Sequence, residues 1–388
     1  AGCMSAVVLD QDLIARVRER LAGSGGTPSP SKVAAALREE GGGLQGDVEV
    51  LAVLKALQSE IAGAGPLEPL LADPSVTDVL VNAPDEVWID RGRGLERVGV
   101  RFADEAAVRR LAVRLASPTG RRLDDAQPWV DARLANGIRL HAVLPPISPR
   151  GTTLSLRIPR RAVFTMQELV VSATVPADGA ELLAALVASR AAFVVSGGTG
   201  TGKTTLLSAL LSLVAPGDRL LLVEDAGELV PQHPHVVRLE ARPPNVEGAG
   251  EVCLRDLVRQ ALRMRPDRVV VGEVRGAEVV DLLAALNTGH EGGCCTVHAN
   301  SARDLPARLE ALAAAAGMPR DALHSQLASG LRLAVHLVRD GGHRRVAEVG
   351  VLRRGLDGVV VSEPGWTWDG VAVAGLPGPA SAALDDLL

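Results

Sequence analysis

The segment Gly197-Gly-Thr-Gly-Thr-Gly-Lys-Thr204 has the spacing G-x-x-x-x-G-K-[ST], which is typical of phosphate-binding loops. Its glycines let backbone N–H groups turn toward phosphate oxygens at places where a Cβ would clash. The loop follows an apolar strand and opens a helix, whose N-terminus attracts anions. Lys203 adds a point charge for the β- and γ-phosphates, and the Thr204 hydroxyl suits Mg²⁺. The predicted nucleotide-binding residues are Gly197, Gly198, Thr199, Gly200, Thr201, Gly202, Lys203, Thr204 and Thr205.

The lysines of the chain bear on the identity of the nucleotide base. A GTP-binding protein of this class would need an N-K-x-D stretch to read guanine. The chain has only Lys32, Lys55 and Lys203, and none of them follows an asparagine. The sequence therefore favours ATP, together with Mg²⁺, as the bound nucleotide.

Carboxylates end two predicted buried strands downstream of this loop. The apolar run from Leu220 ends in Glu224 and Asp225, and a second strand ends in Glu273. The carboxyl ends of parallel strands line the ligand crevice of a doubly wound sheet, so these side chains are predicted to lie near the phosphates. Such carboxylates hold Mg²⁺ or orient the attacking water, and position alone leaves the two roles exchangeable. On the next helix, Arg275 and Glu278 are predicted to form an ion pair.

Two histidines flank the next predicted strand. His290 precedes it and His298 ends it. A neutral imidazole at either place can sense the γ-phosphate or relay a contact to a neighbouring subunit. The spacing offers no further histidine or well-placed cysteine pair, so a zinc site is not expected. A purely structural role for each histidine is the alternative.

The elements that must position these residues follow two patterns. From about residue 176, short apolar strands alternate with helices, which predicts a doubly wound α/β sheet that ends in an antiparallel meander and a loose tail. Residues 63–160 have the pattern of a small α+β domain. Short helices separated by Gly- and Pro-rich stretches precede it. The predicted organisation is a flexible helical segment over 1–45, an α+β domain over 46–160 and a P-loop domain over 161–388.

Composition argues against several classes of protein. The 388 residues carry a formal net charge of −5 and seven aromatic side chains, so direct nucleic-acid binding is not expected. No apolar run reaches the 18 residues that suggest a bilayer-spanning helix. The four cysteines suit a reducing cytoplasm, and the adjacent Cys294 and Cys295 are predicted to be small buried residues.

The phosphate loop, the two carboxylate-ended strands and the paired histidines, in this order, resemble the ATPases of type II and type IV secretion. In that family they correspond to the Walker A motif, the Asp box, the Walker B motif and the His box. The resemblance covers nearly all of residues 60–352. Two earlier stretches, Gly63–Leu71 and Val130–Pro146, look like the Tad/CpaF branch, which powers assembly of Flp pili. Arg275-Gly-Ala-Glu278 departs from the family's common Arg-Asp-x-Glu.

This resemblance implies a RecA-like P-loop ATPase domain preceded by a smaller α+β N-terminal domain. It also implies a homo-hexameric ring at the cytoplasmic face of the cell membrane. There, ATP hydrolysis would drive an integral-membrane platform protein for pilus assembly or secretion. No nucleic-acid partner and no zinc are expected.

The resemblance also assigns roles to site residues. Glu224 would activate water, while Glu273 would hold Mg²⁺ together with Thr204. Arginines of the N-terminal domain would reach the phosphates, because planar guanidinium groups match phosphate oxygens and never lose their charge. The implied catalytic residues are Glu224, Glu273, His290, His298, Arg133, Arg139 and Arg157.

Two functions of other classes remain open at this point. One is a nucleotide-binding assembly scaffold with little turnover, against which the presence of Lys203, Glu224 and Glu273 argues. The other is a conjugation-type ATPase for DNA transfer, which would share the same P-loop core. The acidic balance and scarce aromatics give no sign of direct DNA contact.

Overall fold

The computed structural model describes residues 35, 36, 39, 63–92, 94–159, 164–245, 248–289 and 291–388. Most of the predicted helical segment 1–45 lies outside the described residues. The chain divides into two compact units, Ala1–Arg160 and Arg161–Leu388. Among the described residues, no helix combines the length and apolar character needed to cross a bilayer.

The first unit is built on a six-stranded antiparallel sheet with the order β3-β2-β1-β6-β5-β4. Buried and exposed residues alternate along its strands, and Leu140, Leu154 and Leu156 lie on the buried face with the helix α2. The prediction of an α+β unit is confirmed here. Its elements are α1 (Glu68–Ala72), β1 (Asp78–Ala83), β2 (Glu86–Asp90), β3 (Leu95–Val98), α2 (Glu105–Ala116), β4 (Trp129–Arg133), β5 (Arg139–Val143) and β6 (Thr153–Arg157).

From Ala177 onward, strands and helices of the second unit largely alternate, as predicted from about residue 176. Its first part holds α3 (Met166–Val171), α4 (Ala177–Ala188), β7 (Phe193–Gly197), α5 (Lys203–Leu211), β8 (Leu220–Glu224), β9 (Val236–Glu240), α6 (Leu254–Ala261) and β10 (Arg268–Val274). Its second part holds α7 (Glu278–Leu286), β11 (Cys294–His298), α8 (Leu305–Ala315), α9 (Arg320–Gly330), β12 (Leu333–Asp340), β13 (His343–Arg354), β14 (Val360–Thr367), β15 (Leu376–Pro377) and α10 (Ser381–Asp385).

One nine-stranded sheet runs through this unit in the order β15-β14-β13-β12-β7-β11-β10-β8-β9. The six strands from β12 to β9 are parallel, and β13, β14 and β15 extend the sheet in antiparallel fashion. β7 and β8 are buried along their whole length because helices cover both faces of the sheet. Cys294 and Cys295 are buried on opposite faces, which confirms the expectation for these two residues.

The predicted meander is confirmed, but its strand β12 also pairs with β7, so the meander continues the parallel sheet. The prediction of a loose tail is wrong for residues 375–388. There β15 pairs with β14, and α10 packs on the same strand. The carboxylate of Asp178 accepts hydrogen bonds from the indole Nε1 of Trp366 and from the backbone N–H of Gly375, both at 3.0 Å. These bonds hold the tail against α4.

Candidate nucleotide-binding site

The phosphate loop leaves β7 at Gly197 and enters α5 at Lys203. Gly197 has φ +152°, and a Cβ at this position would lie 2.5 Å from the carbonyl oxygen of Leu337 and 2.8 Å from Oγ1 of Thr201. Only glycine fits this close approach of two strands. The hydroxyl of Thr201 donates to the carbonyl of Gly198 at 3.0 Å and closes the loop on itself. The loop therefore has the strand–loop–helix geometry that the sequence predicts.

Lys203 is buried at the start of α5, with 7% of its surface exposed. Its Nζ donates to the carbonyl oxygens of Gly197 at 3.0 Å and of Gly198 at 2.8 Å. Burial lowers the pKa of Lys203, and the negative charge of Glu273 opposes that shift. The ammonium is thus folded back into its own loop, next to one of the two predicted carboxylates.

A line of three side chains joins the phosphate loop to β10. Nζ of Lys203 lies 3.4 Å from Nε2 of His298, and that nitrogen lies 2.8 Å from Oε1 of Glu273. Burial and the Lys203 charge lower the pKa of His298, and the negative charge of Glu273 opposes that shift. Strand order explains the line, since β11 lies between β7 and β10 in the sheet.

The carboxylate of Glu273 has two different environments. Oε2 accepts a hydrogen bond from the guanidinium of Arg275, which raises the pKa of that arginine. Oε1 is buried and makes no hydrogen bond of good geometry, although His298 is near. A buried carboxylate oxygen without a donor is stabilised by a cation. Glu273 therefore fits the predicted Mg²⁺ site, which the Thr204 hydroxyl and nucleotide phosphates would complete.

Glu224 is placed differently from Glu273. It is only 2% exposed, and its Oε1 accepts backbone N–H bonds from Glu228 and Leu229, both at 2.8 Å. Oε2 lies 3.4 Å from Nε of Arg238. Burial raises the pKa of Glu224, and the two amides oppose this shift. In this structure Glu224 holds the loop after β8, and its water-activating role stays a prediction.

The expected ion pair between Arg275 and Glu278 is wrong. Oε1 of Glu278 accepts the backbone N–H groups of Arg275 at 2.5 Å and of Gly276 at 2.8 Å. A carboxylate at this place stabilises the free N–H groups and the positive end of α7. The guanidinium of Arg275 turns to Glu273 instead. His290, the other predicted His-box residue, lies outside the described residues.

The three predicted arginines of the first unit form a single row. Arg133 of β4 is the register partner of Arg139 of β5, which in turn is the partner of Arg157 of β6. They lie on the face of the sheet opposite to its buried leucines. Asp78 of β1 is the register partner of Arg157, so the row ends beside a carboxylate. The role of these arginines as phosphate ligands stays a prediction.

Two residues that contribute to the site were not predicted from the sequence. Gly272 has no side chain, which leaves room for Glu224, since a Cβ added at Gly272 would lie 2.7 Å from Cγ of Glu224. His336 of β12 is buried opposite Ser196, with Nδ1 of the ring 2.9 Å from the serine Oγ. Because Ser196 precedes the phosphate loop, this contact fixes the end of β7. A single histidine within an otherwise apolar strand was the signal available in the sequence.

Comparisons with known proteins place the chain in a family. The family model described as type II/IV secretion system protein matches residues 60–354. A Mycobacterium tuberculosis protein named as a putative conjugal transfer protein is 58% identical over 350 residues, which cover 88% of this chain and 98% of that protein. Conjugal transfer protein TrbB of Rhizobium radiobacter is 32% identical over 286 residues, covering 72% of this chain and 84% of TrbB.

Among solved structures, the pilus retraction motor PilT with bound ADP aligns with a TM-score of 0.52 at 19% identity. The match covers 83% of this chain and 84% of PilT, and it shows a shared fold. The predicted fold, an α+β N-terminal domain followed by a RecA-like P-loop domain, is confirmed. The extent of the family match and the identity to these relatives show that the chain belongs to the type II/IV secretion system protein family.

Proposed function

We propose that this protein is an ATP hydrolase that converts nucleotide turnover into mechanical work at a membrane. The observation that carries the proposal is the line from Lys203 through His298 to Glu273 at the phosphate loop. It joins a cation for the phosphates, an imidazole and a carboxylate. Phosphoryl transfer needs this kind of positioning and charge stabilisation more than covalent chemistry.

In the proposed reaction, water attacks the γ-phosphorus and the bond to the β,γ-bridging oxygen breaks, giving ADP, phosphate and a proton. Lys203 and the loop amides would hold the phosphate oxygens. Glu273 would bind Mg²⁺, which supplies charge neutralisation when present. A carboxylate, Glu224 or Glu273, would orient the water and take up its proton. His298 would report the state of the γ-phosphate to the neighbouring loops.

We extend the proposal to a homo-hexameric ring at the cytoplasmic face of the membrane, on the basis of the family resemblance. Head-to-tail contacts that close a ring would carry a change in one subunit to the next. The arginine row of Arg133, Arg139 and Arg157 would supply further charge to the phosphates. The load would be an integral-membrane platform protein of a Tad/Flp-type pilus or a related secretion system.

The test of hydrolysis is phosphate release by the Lys203→Ala protein. We expect its turnover to fall about 100-fold or more, because a charge that stabilises the transition state is removed. Lys55→Ala is the matched control, since Lys55 is a lysine outside the phosphate loop. Turnover by Lys203→Ala at the rate of the unchanged protein would refute the proposal. Nucleotide binding without any phosphate release, even beside the membrane partner, would instead favour the scaffold.

A second candidate function is DNA transfer, which the names of the relatives favour. Both reported relatives are named as conjugal transfer proteins. The net charge of −5 and the seven aromatics oppose direct DNA contact. Salt-dependent DNA binding by the purified protein at physiological ionic strength would support this candidate. Neighbouring genes for small pilins, a prepilin peptidase and platform proteins would support the pilus motor.

A further inference from the structure

The hairpin of β12 and β13 runs past the end of β7 and lies beside the phosphate loop. Leu337 is the register partner of Gly197, the last residue of β7. β12 continues to Asp340, and β13 returns from His343. Leu337 and Arg339 lie two residues apart, so they point to the same face of the strand. The Cδ2 of Leu337 lies 4.0 Å from where a Cβ on Gly202 would be, so this face is turned to the loop.

Two arginines of this hairpin reach the middle of the loop. Arg339 and Arg344 are register partners across the hairpin. Nε of Arg344 donates to the carbonyl oxygen of Gly200 at 2.9 Å. A Cβ on Gly200 would lie 3.3 Å from Nη1 of Arg339, and one on Gly202 would lie 3.4 Å from Cδ of Arg344. Both guanidinium side chains therefore lie against the segment that is predicted to wrap the phosphates.

The carboxylate at the tip of the hairpin is engaged away from Arg339. Asp340, the acidic residue of the hairpin tip, pairs with Arg345 at 3.2 Å. Within the part of the chain that the structure describes, no carboxylate lies within ion-pair distance of Arg339. Guanidinium groups bind phosphate oxygens well, so a phosphate at the loop would provide Arg339 with a partner.

We propose that Arg339 binds the phosphate tail of a nucleoside di- or triphosphate and that Arg344 positions the loop through the Gly200 carbonyl. Both arginines belong to the same chain as the phosphate loop, so a neighbouring subunit does not supply them. The inference rests on the proposed nucleotide site and adds to it a phosphate ligand and a positioning residue. Neither residue belongs to the phosphate-loop motif, so the sequence pattern did not indicate them.

The experiment for Arg339 measures displacement of a fluorescent ADP by ADP and by inorganic pyrophosphate. We expect Arg339→Ala to weaken both competitors about tenfold, the loss of one charge-assisted contact, and Arg339→Lys to weaken them less. The control is Arg353→Ala, which removes an exposed arginine of β13 that pairs with Glu363. Unchanged affinity for both competitors overturns the assignment. Weaker ADP binding with unchanged pyrophosphate binding also overturns it, because the contact would then be to the nucleoside.

For Arg344, we expect Arg344→Ala to lower kcat for ATP about tenfold with the melting temperature unchanged, and Arg344→Lys to restore part of the rate. An equal loss in both variants, or none in either, overturns the positioning role.

The outcome of these tests can be separated from the outcome for the proposed function. A wild-type protein that binds ADP but releases no phosphate refutes hydrolysis and leaves the pyrophosphate test intact. A hydrolysing wild type with unaffected arginine variants refutes only this inference.

Discussion

The substitution Gly272→Ala tests how the structure separates the two carboxylates. Gly272 lies on β10 directly before Glu273, and its Cα faces the buried side chain of Glu224. An alanine Cβ there would lie 2.7 Å from Cγ and 3.3 Å from Oε1 of Glu224. Both the strand and the carboxylate are buried, so one of them must move.

The expected cost is about 2–4 kcal/mol in the free energy of unfolding. Forcing a methyl group into a packed interior costs about 1–3 kcal/mol. Displacing Glu224 also weakens its two hydrogen bonds from Glu228 and Leu229, and a hydrogen bond to a charged group contributes about 1.5–3 kcal/mol. Alanine restricts the unfolded chain more than glycine does, and this stabilising effect offsets about 0.4–1 kcal/mol of the cost. Because the buried carboxylate can shift partway, the expected total is smaller than the packing cost plus the complete loss of both hydrogen bonds.

The assay is guanidinium unfolding of the full chain, with hydrogen exchange at the amides of Glu228 and Leu229 as a local readout. The matched control is Gly217→Ala, since nothing lies within 4 Å of an added Cβ there. We expect the control to change stability by less than about 1 kcal/mol.

A double substitution isolates the contact with Glu224. In a Glu224→Ala background the clash partner is gone, so Gly272→Ala should then cost less than about 1 kcal/mol. Equal costs of Gly272→Ala with and without Glu224, or unchanged exchange at the two amides, would show that the reasoning is wrong.

Two further predictions concern the phosphate loop and its supporting strand. Gly197→Ala should weaken ADP binding by more than tenfold, because its Cβ would lie 2.5 Å from the Leu337 carbonyl oxygen; ADP titration calorimetry that finds unchanged affinity would contradict this. Burial lowers the pKa of His336 below the unfolded value of 6.5, so the unfolded state binds more protons just below that pH. The melting temperature should therefore fall as pH drops from 6.5 to 5.5, and His336→Gln should make that fall smaller. An equal change of melting temperature with pH in both proteins would show that His336 is not its cause.

The sequence predicted the parts of the site that local spacing decides. The phosphate loop is set by a run of glycines before Lys203, and the strand before it and the helix after it lie where the pattern placed them. The buried strands that end in Glu224 and Glu273 were likewise visible as apolar runs, because strands covered on both faces are apolar throughout.

Strand order, which no local pattern encodes, decided the rest. Since β11 lies between β7 and β10, His298 stands between Lys203 and Glu273. Since β8 is one strand farther away, Glu224 turns to the loop that follows it instead. From the sequence alone the two carboxylates had exchangeable roles.

Register decided which arginines act together. The row of Arg133, Arg139 and Arg157 comes from three strands brought side by side in the sheet of the first unit. Arg339 and Arg344 reach Gly200 only because β12 pairs with β7, whose residues lie 140 positions earlier in the chain, and runs beyond its end. The sequence by itself determined the phosphate loop and the chemistry available around it. The tertiary structure decided which charges meet that loop, because strand pairing joins residues that are distant along the chain.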